Sequence, residues 1–270
     1  VGARFWNRFD FENVWINQIN DVHPPLYYAL LHIVCSVFSD SFSVWYAGAI
    51  NMVFGLLTLF FLRKLMRLLM DREIVVSIVS VAFVSSAGIL SSISFLRMYV
   101  MAMFFVTLLS YLVVKQMSED FRWRFYAAMA AVAFLGALTH YYCILYTVLI
   151  CTLFGLFLLW KRRWKDVAVL CGGMALAGGL AYLSFPAMMD HVMYGQRGVE
   201  SLENLSNRED LMERLQVFYG FLNDEMFGGK LSWLLVGIVL FALYVIFGKK
   251  ADKNLVPRYL MVLIPSGIFF

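Results

Sequence analysis

Charge is what this sequence has least of. Of its 270 residues only 15% are Asp, Glu, Lys or Arg, where a soluble domain carries about 25%. Hydrophobic residues make up 62% and aromatics 17%. An ordinary soluble fold is excluded, and the composition is that of a polytopic membrane protein. No basic run carries interleaved aromatics, so nothing points to nucleic acid as a partner. The four cysteines, Cys35, Cys143, Cys151 and Cys171, each lie in or beside an apolar stretch. None has metal-ligand spacing, and they read as small buried hydrophobes. There is no internal repeat and no low-complexity tract.

What is present is a series of apolar runs. They place spans at 44–62, 74–95, 98–114, 125–140, 141–160, 167–187, 231–248 and from 259 to the end. Two pairs follow from length. Residues 74–114 hold a single charge, Arg97, yet as one helix they would run about 60 Å, twice the bilayer core. They therefore fold back near Arg97. Residues 125–160 hold no formal charge and by the same reasoning fold back near His140. The loops 63–73, 115–124, 161–166 and 249–258 hold 15 of the 22 basic and 6 of the 18 acidic residues. One side thus sums to +9 and the other to −5, which makes the first side cytoplasmic.

The segment 26–38, "LYYALLHIVCSVF", is apolar but too short to span, and spanning would invert every later loop. It is expected as a re-entrant or interfacial helix on the outer side, and Pro24 and Pro25 suit its start. The expectation is one all-α transmembrane domain over 1–270. Residues 1–43 form an outer loop with that helix, 44–187 six spans, 188–230 a second outer loop and 231–270 two spans. The chain opens without an initiator Met and ends inside an apolar segment, and is read as a fragment.

The isolated ionisable groups all fall at one depth, the outer interface. They are Asp21 and His23 in "NDVHPPLYYALLH", Arg97 in "FLRMY" and His140 in "LTHYYC". Each has a bland reading: Asp21 a helix cap, His23 an interfacial ring, Arg97 a side chain snorkelling to headgroups, His140 a turn residue. As a set they mark a site, because ionisable groups within a membrane are rare. The spans themselves carry none, which argues against an ion-coupled transporter. A site at the interface suits an enzyme whose substrate has a lipid tail and a polar head. Arg97 would pair with a phosphate, and His23 and His140 would donate to it or handle a proton.

"DVHPPLYYALLH", then "LRMY", then "THYY", resembles bacterial polyprenyl-phosphate-dependent glycosyltransferases of the GT-C superfamily, relatives of protein O-mannosyltransferases and aminoarabinose transferases. The resemblance covers roughly 10–160. It implies a helix bundle with juxtamembrane helices in the first outer loop. It also implies a polyprenyl-phosphate sugar donor, an acceptor on the extracytoplasmic face of the bacterial cytoplasmic membrane, and Arg97 on the donor phosphate. The acceptor, whether protein, lipid or polysaccharide, stays open. So does a divalent metal, which some family members use and others do not.

The substrate-binding candidates are Arg97, Tyr99, His140, Tyr141 and Arg197, and the catalytic candidates Asp21 and His23. The family's base is an Asp beside a Glu early in the first outer loop, and no such pair precedes His23 here. Asp10 and Glu12 are spaced differently, and Asp224-Glu225 lies in another loop. The main base is therefore expected upstream of Val1. A lipid-linked-substrate transporter or flippase and a non-catalytic scaffold are the alternatives.

Two further stretches complete the reading. Ser206 and Glu209 fit a capping box ahead of an amphipathic helix with Leu211, Leu215, Phe218 and Leu222 on one face. His191 and Arg197 precede it. "CGGMALAGGL", 171–180, reads as a helix-packing stretch.

Overall fold

The computed structural model describes residues 7–41, 43–195, 211–221, 223–224, 228–233, 235–237, 239–240 and 255–269. Its regular structure is helical, with no strand among the described residues. The chain divides into two compact units, Val1–Met189 with Met261–Phe270, and Asp190–Leu260.

The first unit opens with a helix the sequence analysis did not foresee, α1 (Glu12–Ile19). Asp10 accepts the Glu12 N–H at 3.1 Å, so the acidic pair of "RFDFENVW" serves this helix start. α2 (Leu26–Val37) follows the two prolines. Its 12 residues rise about 18 Å, short of the ~30 Å bilayer core. No side chain caps it. Instead the Leu26 N–H donates to the Leu138 carbonyl at 2.9 Å, so Asp21 is not its cap.

Ser43 caps α3 (Val44–Leu69) by accepting the Trp45 N–H. The helix runs past the expected end at 62, because Lys, Arg, Leu and Met are good helix formers and helix does not stop where apolarity does. Arg63 and Arg67 both reach Glu73, each at 2.6 Å. The expected span 74–95 is two helices, α4 (Glu73–Val84) and α5 (Ala87–Ser94), bent by 47°. Ser86 makes the break: its hydroxyl donates to the Phe83 carbonyl and accepts the Ile89 N–H, competing with the helix ladder.

α6 (Tyr99–Met117), α7 (Trp123–Ala137), α8 (Tyr141–Trp160) and α9 (Trp164–Ser184) follow. The chain turns near Arg97 and near His140, where the length argument put the turns. Among the described residues four helices, α3, α6, α8 and α9, are long and apolar enough to cross a membrane, and a fifth is added if the bent α4–α5 pair is one span. α7, with 15 residues, stands where the fourth span, 125–140, was expected and is shorter than the other candidate spans. α10 (Ala187–Met193) begins after Pro186.

α6 is the central helix of this unit. Met101, Phe105, Leu109 and Val113 pack with Met129 of α7 and with Tyr146, Ile150 and Phe154 of α8. At one end the basic turns interlock. Asp166, buried, accepts from the Tyr126 hydroxyl and from Arg163, which also donates to the Gln116 carbonyl. Lys115 and Arg122 both pair with Glu119 at 2.8 Å.

The small-residue stretch 171–180 is only partly a packing surface. A Cβ on Gly173 would meet the Ala130 Cβ of α7 at 3.6 Å, but at Gly172, Gly178 and Gly179 it would meet nothing within 4 Å. One side of α9 instead lines an apolar groove of about 950 Å³, shared with α8 and the ends of α7 and α10. Cys171 lines it and is exposed, unlike the buried Cys35, Cys143 and Cys151.

In the second unit, α11 (Leu211–Phe221) forms within the expected amphipathic stretch, with Leu215 and Phe218 exposed. Gly228 and Gly229 both take positive φ, 54° and 78°, in the turn after it, a conformation glycine adopts without strain. Ser206, Glu209, Leu222 and most of 231–248 and 249–258 lie outside the described residues. α12 (Leu255–Phe269) starts four residues before the expected 259, and Met261 joins the core of the first unit.

Candidate functional site

At the end of the first unit opposite the basic turns, three distant segments meet. The Leu26–Leu138 hydrogen bond ties the first turn of α2 to the residue just past α7. His23 thereby lies beside His140, with ring centroids 6.1 Å apart. His140 also contacts Tyr99 at 5.6 Å and Tyr142 at 4.7 Å. Tyr99 stacks on Phe95 at 5.8 Å, and the Arg97 guanidinium lies 5.5 Å from the Phe95 ring centre. His23, Tyr99, Arg97 and His140 thus share one end of the bundle, as expected.

The two histidines are held in opposite ways. His23 is 6% exposed, and its Nδ1 lies 3.3 Å from Asp21 Oδ1. A carboxylate oxygen only accepts, so Nδ1 of His23 carries the proton and a neutral ring presents Nε2 as an acceptor. The same Asp21 oxygen takes the Val22 N–H at 2.7 Å. His140 sits at the N-cap of α8, where its Nδ1 accepts the Tyr142 N–H at 3.1 Å. A neutral His140 therefore carries its proton on Nε2 and presents a donor. One ring can take a proton where its neighbour can give one.

Tyr28, which the sequence analysis did not single out, lies within electrostatic reach of these groups. Burial raises its hydroxyl pKa above the ordinary value; the nearby Asp21 and Tyr99 add to the rise, and Arg97 opposes it. The Asp21 charge also reaches the Tyr141 hydroxyl. Tyr141 packs against the small apolar cluster of Ala137, Leu138 and Phe185. Phe95 and Tyr142, 52% and 60% exposed, were likewise not singled out. Their signal was adjacency to Arg97 and His140, which is too weak on its own.

Beneath Arg97 lies Asn51 of α3, fully buried. Its amide nitrogen donates to the carbonyls of Ile93 and Phe95 at 3.2 and 3.4 Å. The Tyr27 hydroxyl lies beside it, and burial pushes that phenol up to about 12. His191 lies in α10, and Arg197 falls outside the described residues. Among the described residues no three His, Cys, Asp or Glu converge as a metal-holding group.

The chain matches no family model, no curated protein and no solved structure.

Proposed function

We propose that the chain is a GT-C-like membrane glycosyltransferase, moving a sugar from a polyprenyl phosphate to an acceptor on the extracytoplasmic face. The observation that carries this reading is the convergence of Asp21, His23, Arg97, Tyr99 and His140 at one end of a membrane helix bundle. That end is opposite the basic turns, so the positive-inside rule puts it outside. α2, too short to span, lies there as the interfacial helix.

The reaction asks for an acceptor oxygen to attack the anomeric carbon. The bond from that carbon to the phosphate oxygen breaks, and polyprenyl phosphate leaves as the anion. The acceptor proton passes to a base. In this reading Arg97 pairs with the phosphate as its charge grows. His140 donates to a phosphate oxygen from Nε2. His23, oriented by Asp21, takes the acceptor proton on Nε2.

The test uses the full-length protein purified in detergent with a panel of polyprenyl-phosphate sugars and membrane extract as acceptor source. Polyprenyl phosphate release is measured for wild type and Arg97→Ala. Release by wild type with a loss of at least about tenfold in the variant, about 1.4 kcal/mol, supports the reading. Release unaffected by the mutation removes Arg97 from the site. No release with any donor rejects the glycosyltransferase and favours a flippase or scaffold.

A further inference from the structure

The groove between α8 and α9 is not part of the site above. Its lining runs along α8 from Ile144 to Leu159 and along α9 from Tyr182 back to Val167. Ile144 to Leu159 is about 22 Å of helix, most of one bilayer core. No charged side chain lines it. Glycines rather than bulky residues leave it open, since Gly178 has free space where a side chain would stand. At its basic end the lining passes directly into the turn 161–166.

That turn has cations left over. Arg163 is engaged with Asp166 and Gln116. Lys161, Arg162 and Lys165 are exposed and form no ion pair among the described residues. Trp160 and Trp164 flank them, 70% and 65% exposed, and the Lys161 ammonium sits 4.4 Å from the Trp160 ring centre. Exposed tryptophans beside cations are what a protein presents at headgroup depth. A dry groove of hydrocarbon length ending at unpaired cations is complementary to one kind of molecule.

We propose that this groove binds an anionic phospholipid, with an acyl chain between α8 and α9 and the headgroup phosphate on Lys161 and Arg162. Basic pockets between membrane helices hold acidic lipids in this way. The headgroup end of this groove lies at the opposite end of the unit from His140, and the proposal does not depend on the glycosyltransferase reading.

Native mass spectrometry of the full chain in uncharged detergent tests it, with phosphatidylglycerol and phosphatidylcholine of the same chains as probes. Wild type is expected to retain phosphatidylglycerol at least about tenfold better, the scale for two cations at a lipid surface. Lys161→Gln with Arg162→Gln removes that preference. Gly178→Leu fills the groove and lowers retention of both lipids. Lys64→Gln with Arg72→Gln, basic residues of the 63–73 segment away from the groove, leaves retention unchanged. Equal retention of the two lipids by wild type overturns the proposal, as does a preference that survives the Lys161/Arg162 change. Displacement of phosphatidylglycerol by polyprenyl phosphate at equal concentration also overturns it and gives the groove to the donor tail.

Discussion

The side-chain amide of Asn51 donates to the Phe95 carbonyl at 3.4 Å, and that same oxygen receives the backbone N–H of Arg97. One buried residue of α3 therefore fixes the turn that presents an exposed arginine. Asn51→Leu keeps the volume and removes the donor from both Ile93 and Phe95. We expect a loss of about 1–3 kcal/mol in unfolding free energy and faster amide exchange across 95–99. Arg97→Ala, at an exposed position, should leave stability near wild type. Unchanged exchange at 95–99 in the Asn51 variant would detach that residue from the turn.

Asp166 is 4% exposed and accepts from both Tyr126 and Arg163. Tyr126→Phe should cost about 1–3 kcal/mol, since the carboxylate loses one buried partner. Asp166→Ala should cost more, toward the lower end of ~3–5 kcal/mol, because Arg163 loses its charge partner but keeps the Gln116 carbonyl. The double variant should cost less than the two summed. Simple additivity in denaturation would show that the three do not act as one network.

Glu119 gives an acid-side prediction. Its hydrogen bond to Lys115, then the charges of Lys115 and Arg122, hold its carboxyl below the ordinary value of 4.5. A lowered folded pKa means stability that is fully present above 4.5 and lost as pH falls through the folded value. Glu119→Gln should therefore melt below wild type at pH 6, with the gap closing toward pH 3. A gap that persists at pH 3 would assign the difference to packing and not to charge.

Two glycines of α9 should answer the same substitution differently. Gly173 faces Ala130 across the α7 contact, and Gly178 faces open groove. Gly173→Leu should destabilise by about 1–3 kcal/mol through overpacking. Gly178→Leu should be neutral or slightly stabilising, as Gly is about 1 kcal/mol poorer than other helix formers. Equal melting temperatures for the two variants would contradict the asymmetry of α9.

How far these features were legible in the sequence depended on their physics. The turns at Arg97 and His140 followed from length alone, because 41 residues with one charge cannot make one span. The meeting of His23, Arg97 and His140 was foreseen from a shared depth in the membrane. Their pairwise arrangement was not, because it rests on the Leu26–Leu138 bond between segments 112 residues apart. The Ser86 break was hidden in an unbroken apolar run, where a hydroxyl's choice of backbone partner has no hydropathy signature. α1 was missed because Asp10 and Glu12 were weighed only against the family's acidic pair and set aside for their spacing, whereas Asp10 serves as a helix-start acceptor. The glycines of α9 were read as close packing. Small residues let helices approach, but they equally leave room, and composition does not tell the two apart.

α7 has 15 residues, which is about 22 Å of helix in a core of ~30 Å. It starts at the basic turn holding Arg122 and Arg124 and gives way to His140 at its other end. If the arginines stay at one surface, the bilayer must thin around α7 by about 8 Å or His140 must sit recessed by as much. If α7 crosses the bilayer, hydrophobic mismatch at this single short helix would draw the aqueous boundary inward toward His140. In the proposed reading, a polar head would then reach His140 in the plane of the lipid chains without leaving water.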